Sequence, residues 1–303
     1  MVTIRRHNSG GLSDNARRTH NMGDGYERIL VLVIDGLRPD AITPEHMPNL
    51  TAFSERAWRP PVASTVRPSI TIAALSSLGT GVTPETHGLV DPSLDSLARV
   101  RRLRPLPVEL ARLGVRTSVV TEELLPSTRF LVGGILKLGG VERLIASGTQ
   151  PRRVAEAMAE ELRARHGRRF VLGYVRETDI AGHAWGWMSD AYLTAARAVD
   201  RGLGVLSELA EELGTLVIVT ADHGGGGVLP SDHDHPHPIN ETIPLLVAGF
   251  GVRSGAGSAR GTSLLDVPPT VLSGFGGNPP AQWQGRVLSE AFDKEPAWIQ
   301  ASA

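Results

Sequence analysis

The chain has 303 residues, of which 41% are hydrophobic and 21% charged, with a formal net charge of −1 and no cysteine. This is the composition of a globular chain long enough to bury a sizeable core. It excludes disulfides, thiolate nucleophiles and thiolate metal sites, and the balanced charge leaves no electrostatic footprint for nucleic acid or an anionic membrane.

The first stretch, residues 1–26, is polar. Its Arg5-Arg6 pair is followed by no apolar segment, and no window reaches the roughly 18 apolar residues a spanning helix needs. We expect a flexible polar tail there, one folded domain over 27–295, a C-terminal tail over 296–303, and a cytoplasmic location.

Residues 28–35 (RILVLVID) read as a strand buried on both faces of a parallel sheet, closed by Asp35 and Gly36. An Asp there can present its carboxylate at the sheet edge, or it can cap a turn. Residues 48–57 read as a helix. Next comes STVRPSITIAALSSLGTG (64–81), in which a hydroxyl precedes a helix-compatible segment. Such a hydroxyl can be a metal-activated nucleophile whose helix N-terminus offers N–H groups to phosphate. Ser69 and Thr71 both qualify by residue type, and either could instead be a turn or cap residue.

Further helices are expected over 105–113, 152–166 and 189–213, the last with Ser189 as N-cap and Gly214 as stop. Further strands are expected over 117–121, 169–175, 215–220 and 243–248. Strands alternating with helices imply an α/β fold with a mostly parallel central sheet flanked by helices on both faces. Functional groups gather at the carboxyl ends of such strands.

Asp179 and His183 follow the 169–175 strand as D-x-x-G-H, which puts two metal-ligand types one turn apart. Glu177 and Asp190 nearby read as solvated or structural. Asp222 and His223 end the 215–220 strand, followed by four glycines, Gly224 to Gly227, that let the backbone turn tightly. The loop SDHDHPHP adds His233, His235 and His237, of which one is expected to be a true ligand. Carboxylates and imidazoles without thiolate suit zinc and accept manganese. Two ligand groups suggest two ions, an arrangement that can clamp both oxygens of a displacement at phosphorus.

Taken in order, these motifs resemble the alkaline phosphatase superfamily, and within it the type I phosphodiesterase/nucleotide pyrophosphatase branch. MPNLTAFSERA (47–57), TGVTPETHGL (80–89), LLDVPPTVLSGFGG (264–277) and GRVL (285–288) extend the likeness over about residues 28–292. That family sets its nucleophile nine residues before the Thr of a Thr-Gly pair, here Thr80-Gly81, so the resemblance assigns the role to Thr71. It also implies that Asp35, Asp222 and His223 join Thr71 at one ion. Asp179, His183 and a late His then hold the other. The segment ending at Pro244 points to His233 as that late ligand, with His237 as the alternative.

Two departures follow. The nucleotide pyrophosphatases carry a phosphate-holding Asn three residues after the nucleophile, where this chain has Ala74; Arg67 or a backbone N–H would substitute. Thr71 cannot become the formylglycine that sulfatases require. The resemblance therefore implies a metal-dependent hydrolase of phosphoric esters, acting through a phospho-threonine on a small-molecule substrate, with diester or pyrophosphate bonds favoured. A phosphomonoesterase or a phosphotransferase of the same superfamily is the alternative, and a non-catalytic binding protein is a more distant one.

Overall fold

The computed structural model describes residues 25–90, 102–164, 167–257 and 261–293. The expected tails lie outside the described residues, except at Gly25 and Tyr26. Tyr26 is buried: its N–H donates to Gly274 O, and its hydroxyl donates to Phe250 O. The folded part therefore already includes Tyr26, which the expected tail had taken in.

The strands are β1 (Arg28–Ile34), β2 (Trp58–Arg59), β3 (Ala63–Ser64), β4 (Arg116–Thr121), β5 (Arg143–Ala146), β6 (Arg169–Val175), β7 (Leu216–Thr220), β8 (Thr242–Ile243), β9 (Leu245–Ala248), β10 (Gly255–Ala256) and β11 (Thr262–Ser263). Eight of them form one sheet in the order β10-β2-β9-β7-β1-β6-β4-β5, and β11-β3-β8 form a small second sheet. β1 sits in the middle, parallel to β6 on one side and to β7 on the other. From Ile29 to Ile34 every β1 residue is fully buried, so both faces of the sheet are covered there. Burial of each such side chain contributes roughly 1.5–3 kcal/mol. This explains why the segment carries no polar alternation.

Two sequence expectations need correction. The 243–248 strand was grouped with the parallel ones, but Pro244 divides it. Thr242–Ile243 pairs with β3 in the small sheet, and Leu245–Ala248 runs antiparallel to β7. A proline offers no N–H to a ladder, so the pairing changes partner at that residue. The 189–213 helix is two helices, Asp190–Gly202 and Val205–Glu212. Gly202 and Gly204 fall at the break, where each would cost a continuous helix about 1 kcal/mol. Ser189 does cap the first of them, its side chain accepting from Tyr192 N–H.

The remaining helices cover the sheet, and Pro48–Arg56, Leu106–Arg112 and Pro151–Arg163 lie where they were expected. The helices Pro126–Leu138 and Val267–Gly274 had not been read from the sequence. Among the described residues no helix is long and apolar enough to cross a membrane.

Candidate metal centre

The three central parallel strands, β7, β1 and β6, deliver their carboxyl ends side by side. Asp35 follows β1, and Asp222 and His223 follow β7. The helix Glu177–Trp185, which follows β6, carries Asp179 and His183. His233 arrives from the loop after β7, and Thr71 is the first residue of the helix Thr71–Thr80. Residues far apart in sequence thus meet because neighbouring strands end together.

Two groups result, each with ligand atoms lying within 4.8 Å of one another: Asp35, Asp179 and His223, and Asp179, His183 and His233. In the first, His223 Nε2 lies 3.2 Å from Asp35 Oδ1, 3.6 Å from Asp222 Oδ2 and 3.9 Å from Asp179 Oδ1. Thr71 Oγ1 lies 3.2 Å from the same nitrogen. In the second, His183 Nε2 is 3.4 Å from Asp179 Oδ1 and 3.2 Å from His233 Nε2.

The polar atoms show what these groups are built to hold. Asp35 Oδ1, Asp179 Oδ1 and Asp222 Oδ2 are buried without a hydrogen-bond partner, a costly condition for carboxylate oxygens. The opposite ends of the ligands are tied. Asp222 Oδ1 accepts from the N–H groups of Gly36 and His223. Asp35 Oδ2 accepts from the Tyr174 hydroxyl. Each imidazole donates its Nδ1–H to a backbone carbonyl: His223 to Gly224 O at 2.7 Å, His233 to Ser69 O at 2.8 Å and His183 to Ser231 O at 3.0 Å. That sets each ring's orientation and turns every Nε2 inward, toward the carboxylates. Ligands about 2.05 Å from a tetrahedral ion stand about 3.3 Å apart, close to the spacings found here. The donor set therefore fits divalent cations.

The electrostatics agree. Burial raises the Asp35 carboxyl well above the usual carboxylate range, and the charge of Asp222 adds to it. Burial also raises Asp179. Burial would lower His223, but the carboxylates of Asp222 and Asp35 outweigh it and hold the imidazole up at about 10. His233 is lowered, by burial first and then by the His223 charge stacked 3.8 Å away. The shifts of Asp35 and His223 report crowded buried carboxylates, which a cation would relieve. The Tyr174 phenol is raised by burial and by Asp35, so it stays protonated and remains a donor.

The expected site residues Thr71, Asp35, Asp179, His183, Asp222, His223 and His233 thus come together. His237, the alternative late ligand, instead accepts the Ile239 N–H at the start of the helix Pro238–Glu241. His235 pairs with Asp232 at 2.7 Å. Arg67, expected as a phosphate ligand, has its side chain 74% exposed and pairs with Glu241 at 2.6 Å. Ser69, the rival nucleophile, donates to His233 O and thereby steadies that loop residue. Ala74 is buried.

Four features were not visible in the sequence. The helix Thr71–Thr80 begins without a side-chain cap, so no side chain at its start occupies the first-turn N–H groups. The glycines after His223 do more than turn the chain. A Cβ on Gly224 would lie 2.1 Å from Ile239 O, and one on Gly225 would lie 2.1 Å from Trp187 Cε2. Trp187 itself donates to Gly36 O and sets its ring edge-on to His183 and His233, bracing the imidazoles of the second group. Glu177, read as solvated or structural, is half-buried, and burial with neighbouring Glu122 lifts its carboxyl to about 8.

The family described as type I phosphodiesterase / nucleotide pyrophosphatase matches residues 29–99 and 127–249. A 2,3-bisphosphoglycerate-independent phosphoglycerate mutase of Paracoccus denitrificans is 36% identical over 111 residues, which are 36% of this chain and 21% of the mutase. The chain thus matches about a fifth of that relative's length. Among solved structures, a protein of the alkaline phosphatase superfamily from Vibrio parahaemolyticus superposes with TM-score 0.64 at 19% identity, over 90% of this chain and 72% of that one. Murine ectonucleotide pyrophosphatase/phosphodiesterase 5 superposes with TM-score 0.67 at 14% identity, over 85% of this chain and 97% of that one. At these identities the superpositions speak for the fold.

Proposed function

The chain belongs to the type I phosphodiesterase/nucleotide pyrophosphatase family of the alkaline phosphatase superfamily, and on that premise we propose that it hydrolyses phosphoric esters of small molecules, phosphodiester or pyrophosphate bonds favoured, with Thr71 as nucleophile. One observation carries the reading. Three partnerless carboxylate oxygens and the inward-facing imidazole nitrogens converge beside Thr71 Oγ1, at a helix N-terminus whose first turn has no cap.

Two divalent cations, zinc in our reading with manganese as the alternative, would be held by Asp35, Asp222, His223 and Thr71 and by Asp179, His183 and His233; they supply the positive charge that acidifies the Thr71 hydroxyl and offsets the phosphoryl oxygens. Thr71 Oγ1 gives its proton to solvent and bonds to phosphorus in line as the bond to the leaving oxygen breaks. The leaving oxygen takes a proton from solvent. The first-turn N–H groups of Thr71–Thr80 donate to the non-bridging oxygens, which answers the lack of a side-chain donor at Ala74. A water then attacks phosphorus, the bond to Thr71 Oγ1 breaks, and the hydroxyl recovers its proton.

The likeness to a mutase favours a second reading, phosphoryl transfer to an acceptor alcohol. Against it, the described chain between Thr71 and Asp179 builds β4 and β5 of the central sheet, and so is spent on the sheet itself.

The deciding experiment offers a chromogenic phosphodiester and a chromogenic phosphomonoester side by side, with zinc, with manganese and with chelator. We expect cation-dependent turnover that is faster on the diester. Faster turnover of the monoester would overturn the ester preference. Phosphoryl transfer to added alcohol without free phosphate would favour the second reading. No turnover by folded, cation-loaded protein would count against hydrolysis of simple esters.

A further inference from the structure

The two oxygens of Asp35 are treated differently by the fold. Oδ1 is buried, partnerless and 3.2 Å from His223 Nε2. Oδ2 accepts a hydrogen bond from the hydroxyl of Tyr174. Tyr174 belongs to β6 and sits directly opposite Val33 in the β1–β6 register, so its ring rises from the strand beside the one that delivers Asp35. The backbone there is fixed as well, because Asp35 N–H donates to Val175 O at 2.8 Å and Thr178 Oγ1 donates to Asp35 O.

Asp222 solves the same problem without a side chain. Its Oδ1 accepts two backbone N–H groups, from Gly36 and His223, and its Oδ2 is left facing the centre. Asp35 has no such backbone pair at Oδ2. The torsion that turns a carboxylate is broad and nearly two-fold, so without a donor on one oxygen the group would present either oxygen or both. The Tyr174 hydroxyl removes that freedom.

We propose that Tyr174 is a positioning residue for the inner cation site. By holding Asp35 Oδ2 it presents Oδ1 alone as the ligand and sets the affinity of the Asp35–Asp222–His223 site, leaving the Asp179–His183–His233 site untouched. This rests on the reading of both groups as cation sites. It goes beyond that reading by giving one phenol control over one of the two.

The test is calorimetric titration of zinc, and separately of manganese, into the chelator-stripped full-length protein, its Tyr174→Phe variant and a Tyr26→Phe control. The control also loses a buried hydroxyl, but a remote one bonded to Phe250 O. The wild type should take up ions in two classes. Tyr174→Phe should weaken one class about 10- to 100-fold, the usual effect of losing a ligand's outer partner, and leave the other class unchanged. Its melting temperature without added ion should shift about as that of Tyr26→Phe does, while its ion-induced rise shrinks. Tyr26→Phe should leave both classes as they are. Unchanged affinity in Tyr174→Phe would overturn the proposal. Equal weakening of both classes together with lower ion-free melting would also overturn it, by showing a merely structural hydroxyl. No uptake by the folded wild type would fail earlier, removing the two-site reading itself.

Discussion

The inner and outer halves of the centre use the same ligand types but are built differently. Asp35, Asp222 and His223 stand at strand ends, and the side chains of Asp222 and His223 are fully buried. Their second atoms are tied by Tyr174, by two backbone N–H groups and by Gly224 O. The outer half borrows Asp179 and His183 from a helix and His233 from a loop, and the His183 side chain is 46% exposed. Its imidazoles are each held through Nδ1 by one carbonyl, of Ser231 and of Ser69. Pre-ordered ligands lose less freedom on binding, so the inner half should hold its ion more tightly and release it more slowly. Asp179 Oδ1 lies between the two halves, nearer the outer imidazole of His183 at 3.4 Å than the inner one of His223 at 3.9 Å.

The largest effect should come from the proposed nucleophile, which stands against the inner half. Thr71→Ala should lower turnover at least about 10³-fold, as loss of a covalent nucleophile does, while uptake of both ions persists. Near-normal turnover in that variant would end the phospho-threonine mechanism.

Smaller and more discriminating is a pair of ligand variants. His183→Ala should weaken one ion class by more than the roughly 10- to 100-fold that loss of an outer partner costs, and leave the ion-free protein as stable as before, because the side chain is half-exposed. Asp222→Ala should abolish the other class and also destabilise the ion-free protein by about 1–3 kcal/mol, since two buried N–H groups lose their acceptor. Calorimetry and thermal melting of both variants check this. Identical profiles for the two would mean that the halves are a single unit.

The same contrast decides what the sequence could reveal. The meeting place of the inner residues was legible because strand ends are announced locally, by apolar runs that stop at Asp35 and at Asp222-His223. Asp179 and His183 were legible from their one-turn spacing. The choice among His233, His235 and His237 could not be made from local pattern, because it depends on which imidazole reaches Ser69 O across the fold. Tyr174 was invisible for a related reason: within RFVLGYV it reads as one more β-forming core residue. The reversed direction of β9 was equally hidden, since a short apolar segment looks the same in either orientation. The helix Pro126–Leu138 escaped because Gly133 and Gly134 interrupt its pattern.

The mildest prediction concerns a histidine outside both halves. His87 is as fully buried as His223, yet its imidazole is pushed down to about 4, by burial above all, while that of His223 is held up at about 10. The difference lies in the neighbours. Carboxylates surround His223, whereas the ring of His87 meets Ser77 Oγ at 3.0 Å, and its Nδ1 accepts the Leu89 N–H at 2.8 Å. A proton on Nδ1 would point at that N–H. Because the folded value lies below the ordinary 6.5, the unfolded chain binds the extra proton first. The contribution of His87 is therefore complete above pH 6.5 and is lost as pH falls toward about 4. His87→Gln should flatten the dependence of unfolding free energy on pH in that window, by at most about 1.4 kcal/mol per pH unit. Denaturant unfolding at several pH values checks it. An unchanged slope would show that burial without carboxylates does not suffice to keep a histidine neutral here, and would weaken the same argument applied in reverse to His223.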